Sequence, residues 1–231
     1  MIPRGPTLVI ARNGDEAARA FVEQHQGDAY LVTPPELVKL GLSFYPGYPA
    51  ESVAQVGDRK VPLDAISGVL CRLAWVHEAD LPHVMAHDRA YVAAELSAFL
   101  LAWLTDLPCR VVNRATPQCL CGPGWRHEQW IHTAALLGLT VHEAVRSIPP
   151  KMSERAVVNA ATRVTLVGST VFGTTDEVLT QQTRSLADAA GVELLQASFS
   201  NEVNHHALLY VDLWPDVASE PIARAVWNLL N

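Results

Sequence analysis

The hydrophobic pattern of the N-terminal third alternates between two periods. Thr7 to Ala11 (TLVIA) is an unbroken apolar run, as expected of a strand covered on both faces. From Asp15 the segment AARAFVEQH spaces its apolar residues as a helix does, and Gly27 closes it. AYLVT predicts a second strand, and its Thr33-Pro34-Pro35 exit opens a short helix in PELVKLG. Strand, helix, strand, helix is the order of a parallel sheet with helical crossovers. The turn-rich stretch SFYPGYPAESVAQVGDRKVPLD predicts an edge hairpin turning at Gly57-Asp58, and ISGVLCRL predicts another buried strand. Asp88 precedes the longest helical pattern as an N-cap candidate. That helix, RAYVAAELSAFLLAWLTDL, places Tyr91, Val92, Leu96, Phe99, Leu100, Trp103 and Leu104 on one face. Pro108 forbids its continuation, and CRVVN follows as a strand.

The second half has a different rhythm. Arg114 to Trp125 reads as loop, WRHEQWIHTAALLG as a short helix ended by Gly138, and TVHEAV as a strand before the Pro149-Pro150 boundary. A hairpin turns at Gly168-Ser169, where a two-residue loop with glycine suits strand twist. Thr174 and Glu177 form a capping-box pattern for a helix over 175–190, stopped by Gly191. A second hairpin turns near Asn201 to Asn204, and Pro221 opens a terminal helix, IARAVWNLL. Antiparallel hairpins flanking one helix predict a mixed or antiparallel sheet in this half.

Composition narrows the partners. The 231 residues are 49% hydrophobic and 18% charged, enough for one large or two small domains with proper cores. A net charge of -7 argues against a nucleic-acid or anionic-membrane surface. The longest apolar stretch, LSAFLLAWL, is half a membrane span. The start has too short an apolar run for a signal peptide, and four cysteines make no disulfide scaffold, so a cytoplasmic location is expected.

Several segments resemble the ATP-grasp superfamily, in particular its RimK-like, peptide-modifying ligase branch. RNGDEAARAFVEQ with AYLVTPPEL is similar to that branch's first strand, helix and second strand. GVLCRL, DRAYVAAELSAFLLAWL and CRVVNRATP resemble the strand, long helix and turn that end its N-terminal domain. TRVTLVGSTVFG is similar to the hairpin of the ATP-grasp core. The resemblance implies an α/β fold: a Rossmann-like pre-ATP-grasp domain over 1–112 and a shortened ATP-grasp-like α+β core over 113–231. Only about fifteen residues, with Lys151 the sole lysine, stand where such a ligase carries its small nucleotide-covering subdomain. The implied magnesium positions also differ. Ser198 stands at the first carboxylate, Tyr210 at the glutamate of the second motif and Asp212 at its asparagine, while Ala161 replaces the aspartate before Arg163. Divalent cations that bridge nucleotide phosphates need anionic oxygens. No cofactor is therefore expected, and ATP and magnesium are disfavoured.

Three other constellations carry chemistry. Cys119, Cys121 and His127 lie in CLCGPGWRH, where thiolates beside an imidazole suit a soft metal or a nucleophile, although buried cysteines also pack as small apolar residues. GPGW either lines a pocket, which makes Trp125 a candidate ligand-binding residue, or simply wraps a corner. The histidines and acids of WVHEADLPHVMAHD read as solvated loop. Arg72 and Asn113 are expected at the carboxyl ends of neighbouring parallel strands, and Arg163 and Asp212 on the core hairpins. These four and Trp125 are the candidate ligand-binding residues, the four expected to share one cleft that suits an anionic group, with the CLCGPGW loop as its rim. The expected function is that of a non-catalytic pseudoenzyme of specialised metabolism, binding a peptide, a partner ligase or a small metabolite, and forming a homodimer. The alternatives are an ATP-dependent carboxylate-amine ligase with unusual metal ligation and a new activity at the Cys119–Trp125 loop.

Overall fold

The computed structural model describes residues 5–39, 43–56, 59–142, 162–201 and 206–231. They form two compact units, one of residues 1–124 with 216–231 and the other of residues 125–215. The α/β expectation holds, with a four-stranded parallel sheet, a four-stranded antiparallel sheet and a two-stranded antiparallel hairpin.

The first unit is built on a parallel sheet ordered β2-β1-β5-β6, with β1 at Thr7–Ile10, β2 at Ala29–Val32, β5 at Gly68–Cys71 and β6 at Arg110–Val112. Its two central strands, TLVI and GVLC, are buried along their whole length, which is why they read as apolar runs rather than alternations. Helix α1 (Glu16–Gln24) crosses from β1 to β2 and is started by Asp15, whose carboxylate accepts the Ala18 amide at 2.9 Å. α2 (Pro34–Lys39) follows β2. β3 (Val53–Val56) and β4 (Arg59–Pro62) do form a hairpin, but it is a separate two-stranded sheet, bridged besides by Ser43 to Val53, so the hairpin is not an edge of the main sheet. Its turn, Gly57-Asp58, lies outside the described residues.

α3 (Arg89–Asp106) buries Ala93, Leu100, Trp103 and Leu104, whereas Tyr91 stands 68% exposed. The apolar face read from the sequence is therefore too wide at its N-terminal end. Asp88 precedes the helix without capping it and lies instead 3.3 Å from the His87 ring. α6 (Glu220–Leu230), which the sequence reading grouped with the second half, belongs to the first unit. It is strongly amphipathic, burying Ile222, Ala223, Val226 and Leu230. The ring of Trp227 stacks on His25 at 4.3 Å, and Gly68 passes so close to Leu230 that a Cβ there would meet its carbonyl oxygen at 2.7 Å. Only glycine allows that approach of strand to helix.

The second unit is an antiparallel sheet ordered β10-β9-β7-β8, made of β7 (Thr162–Val167), β8 (Thr170–Phe172), β9 (Leu194–Phe199) and β10 (Leu208–Asp212). α4 (His127–Leu136) and α5 (Glu177–Ala190) share a core with one face of it: Trp130, Ile131, Leu179 and Leu186 with Val164, Leu166, Leu195, Ala197 and Val211. The β7–β8 turn falls at Gly168, with φ of 57°, and α5 ends at Gly191 in the left-handed region, both where glycine was read. The start of α5 differs from the capping-box reading. Asp176 is the N-cap, accepting the Val178 amide at 2.7 Å, and Thr174 braces Asp176 by accepting its amide at 3.0 Å. Of the TVHEAV strand, Val141 makes one isolated parallel bridge to Leu208. Residues 143–161, which include Pro149-Pro150, Lys151, Ala161 and the short bridge in place of a subdomain, lie outside the described residues, as does the 202–205 turn.

Candidate functional site

Two places gather polar side chains around well-defined backbone, one in each unit. In the second unit, strand register decides the arrangement. Arg163 on β7 pairs across to Ser198 on β9, and Ser198 pairs to Tyr210 on β10. One pleat along, Thr165 pairs with Gln196 and Gln196 with Asp212. Side chains two residues apart share a face, and directly paired residues share it too. Arg163, Ser198, Tyr210, Thr165, Gln196 and Asp212 therefore form a two-row grid on the face opposite the core. The intervening residues Val164, Ala197 and Val211 all point into that core.

The grid is partly tied together. The Gln196 amide donates to the Thr165 hydroxyl at 3.0 Å, and Thr165 is buried. Asp212 accepts the Trp214 amide through Oδ1 at 2.8 Å, an Asx turn that fixes the carboxylate at the end of β10. The His127 ring, at the start of α4, stacks on Tyr210 at 6.1 Å. Arg163 is exposed and has no hydrogen bond or ion pair with any partner among the described residues. It does not neutralise Asp212: the two lie in different rows and two strands apart, about 12 Å between Cα atoms at ordinary sheet spacings. Gly173, with φ of 91°, sits against the β7 backbone, where a Cβ would come within 2.1 Å of the Arg163 carbonyl oxygen. Glycine there lets the chain after β8 cross close to the arginine-bearing strand.

In the first unit the polar cluster lies at the carboxyl end of the parallel sheet. β1 sits between β2 and β5, so the strand order reverses at β1, and open α/β sheets bind ligands outside such strand ends. Arg12 follows β1, Arg72 follows β5 and Asn113 follows β6, so Arg72 and Asn113 do lie on neighbouring strands, both buried. Arg72 is engaged within its own unit: Nε donates to Asp15 Oδ2 at 2.7 Å and Nη2 approaches Oδ1 at 3.4 Å. Asp15 thus caps α1 and holds Arg72 with the same carboxylate. Arg12 makes a matching fork to Asp80, at 2.8 and 3.1 Å, and also donates to the Trp75 carbonyl. Burial of Asp80 works against its charge. The Arg12 fork and the His77 amide at 2.8 Å outweigh that and hold its carboxyl below the usual carboxylate range.

Sequence reasoning found Arg72 but not its partner. Arg12, Asp15 and Asp80 were passed over because the pairing spans 57 and 68 positions of chain and depends on which strand ends are neighbours. Trp125 packs edge-on against Trp130 at 4.8 Å and adds to the apolar core of the second unit. Cys119 and Cys121 lie side by side in the first unit, and His127 begins α4 in the second. Among the described residues no three His, Cys, Asp or Glu side chains are grouped to hold a metal. The four residues expected to share a cleft divide between units, Arg72 and Asn113 in the first, Arg163 and Asp212 in the second.

No family model and no curated protein matches the sequence. Solved structures do match the fold. The macrocyclase MdnC bound with precursor peptide MdnA, from Microcystis aeruginosa, aligns with a TM-score of 0.71 at 13% identity, over 97% of this chain and 99% of that one. A RiPP-associated ATP-grasp ligase from Chryseobacterium gregarium, in complex with ADP and a leader and core peptide, gives 0.66 at 10% identity over 98% and 96%. A RimK domain ATP-grasp protein from Sphaerobacter thermophilus gives 0.51 at 15% identity over 97% and 98%. The chain has the fold of RimK-like and peptide-modifying ATP-grasp ligases, as the resemblance implied. The grid on β7, β9 and β10 is also where that resemblance put the magnesium positions. Its donor set does not fit the ion: one carboxylate, with one oxygen engaged, beside a serine hydroxyl and a tyrosine phenol.

Proposed function

We propose that this chain uses the ATP-grasp fold as a peptide-binding accessory protein and performs no magnesium-dependent phosphoryl chemistry. The observation that carries the proposal is the cross-strand row Arg163–Ser198–Tyr210, which sets a cation and two neutral hydroxyls where phosphate-bridging metals need carboxylates. The fold neighbours bound with precursor and leader peptides support a peptide rather than a small metabolite as the partner. Arg163 and Asp212 are the recognition residues of the second unit. One presents an exposed guanidinium to a carboxylate of the partner, and the other accepts from its backbone or amine. We read the first unit as the Rossmann-like, pre-ATP-grasp part, in which Arg72 and Asn113 line the carboxyl edge. Two copies associate through the exposed aromatic residues Tyr45, Tyr48 and Tyr91.

One observation favours a second reading. Arg163 and Asp212 share a face on a fold whose neighbours are ligases, so a carboxylate-amine ligase with unusual metal ligation uses that same face. Incubating the purified chain with ATP, magnesium and a pool of linear peptides separates the two. The accessory reading expects peptides to be retained and no ADP or phosphate to be released. ATP consumption that depends on an added peptide would establish the ligase reading instead.

A further inference from the structure

The loop between β6 and α4 carries a thiol pair that neither reading uses. It is tightly built. Thr116 and Cys119 exchange backbone hydrogen bonds at 2.8 and 3.1 Å, the Thr116 hydroxyl donates to the Gly122 carbonyl at 2.7 Å, and the Leu120 amide ties the loop to Ala74 at 2.8 Å. The loop then reverses through Gly122 and Gly124, with φ of 130° and 66°. This folding brings Cys119 Sγ to 3.5 Å from Cys121 Sγ. Cys119 also lines a cleft of about 240 Å³ together with Ala74, Trp75, Ser97, Leu101 and Gln118. Both sulfurs are otherwise shielded from solvent.

We propose that Cys119 and Cys121 form a hydroperoxide-reactive redox site, with Cys119 as the attacking thiolate and Cys121 as the resolving thiol. The electrostatics of the loop agree. The Cys121 thiol can donate to an ionised Cys119, and despite burial the Cys121 and Gly124 amides add to it, bringing Cys119 down to about 7. Its partner is pushed up, because ionising Cys121 would forfeit that hydrogen bond, in a buried place close to Cys71. Burial pushes Cys71 up to about 12, with the Cys119 charge adding to it, and outweighs the nearby Arg114 to push Cys109 up to about 11, which leaves both as inert thiols at neutral pH. With Cys119 ionised the pair holds one proton between two sulfurs, the state that suits a nucleophile beside its resolver.

The chemistry closes without a further reagent. The Cys119 thiolate attacks one oxygen of the hydroperoxide, the O–O bond breaks, and the leaving oxygen takes a proton to depart as water or alcohol. Cys119 is then a sulfenic acid. Cys121 attacks that sulfur, the S–O bond breaks, and the hydroxyl leaves with the thiol proton as water. Two thiols lose two electrons and become one disulfide, while the peroxide gains them. A neutral molecule as small as hydrogen peroxide fits the cleft, whereas a folded protein disulfide does not.

The test uses the intact, reduced chain, titrated with hydrogen peroxide and then mapped by mass spectrometry after alkylation of free thiols. The proposal expects a Cys119–Cys121 disulfide at peroxide levels that leave Cys71 and Cys109 alkylated. It expects Cys119 to alkylate at least ~10-fold faster than Cys109 before oxidation. Cys121→Ser is expected to accumulate a dimedone-trappable sulfenic acid at Cys119, and Cys119→Ser to give neither product. A chain whose Cys119 oxidises no faster than Cys71 and Cys109, or whose disulfide joins Cys119 to Cys71, overturns the proposal. The wild-type map alone decides this should either variant fail to fold.

Discussion

At the residue scale the molecule is governed by single charges and by the partners they find. Asp80 holds a depressed carboxyl because Arg12 and the His77 amide face it. A carboxyl whose folded pKa lies below its unfolded value of about 3.9 stabilises the fold above that value and loses this contribution as pH falls through the folded one. Asp80→Asn is therefore expected to lower the melting temperature at neutral pH and to flatten its fall below about pH 4. Melting curves of both proteins from pH 2 to 7 check this; parallel curves would contradict it. The grid on β7, β9 and β10 makes a complementary prediction. Ser198→Asp with Tyr210→Glu places two carboxylates on directly paired positions beside Asp212. Manganese binding, read by electron paramagnetic resonance, is expected to appear in the double variant and to be negligible in the wild type. The sequence revealed which residues occupy these positions, because the hairpin patterns fixed their strands. It left the Arg72–Asp15 and Arg12–Asp80 pairs invisible, because neither spacing nor residue type signals which strand ends become neighbours.

Elements were legible wherever one period dominated. The buried runs TLVI and GVLC, the glycine turns at Gly168 and Gly191 and the amphipathic α1, α5 and α6 follow from period and turn chemistry alone. Helix starts were less legible. Thr174, Asp176 and Asp88 are all suitable cap residues, and only backbone geometry makes Asp176 the cap and Asp88 not. Asp176→Ala is expected to cost about 1 kcal/mol, with Thr174→Ala less, measured by urea unfolding. Equal losses would mean that Thr174 caps α5 directly. The face of α3 was overread because aromatic residues are apolar but not always inward, as Tyr91 shows. Its buried anchor is Trp103, whose indole N–H has no hydrogen-bond partner among the described residues. Trp103→Phe is accordingly expected to cost less than Trp103→Ala, which empties a large core site for about 3–5 kcal/mol.

For the whole molecule, the division into units is set by packing rather than chain order. α6 returns to the first unit because its apolar face, Leu230 against Gly68 and Trp227 against His25, has its complement there. Leu230→Ala is expected to cost about 2–5 kcal/mol, as removal of a buried leucine usually does. The sequence placed α6 with its neighbours in the chain, since nothing local reports which sheet an amphipathic helix will cover. The central claim concerns what the ATP-grasp fold does here without a magnesium cage. Isothermal titration of the wild-type chain with ATP in excess magnesium addresses it most directly. The account predicts no binding in the micromolar range, and a micromolar dissociation constant that vanishes when magnesium is chelated would contradict it.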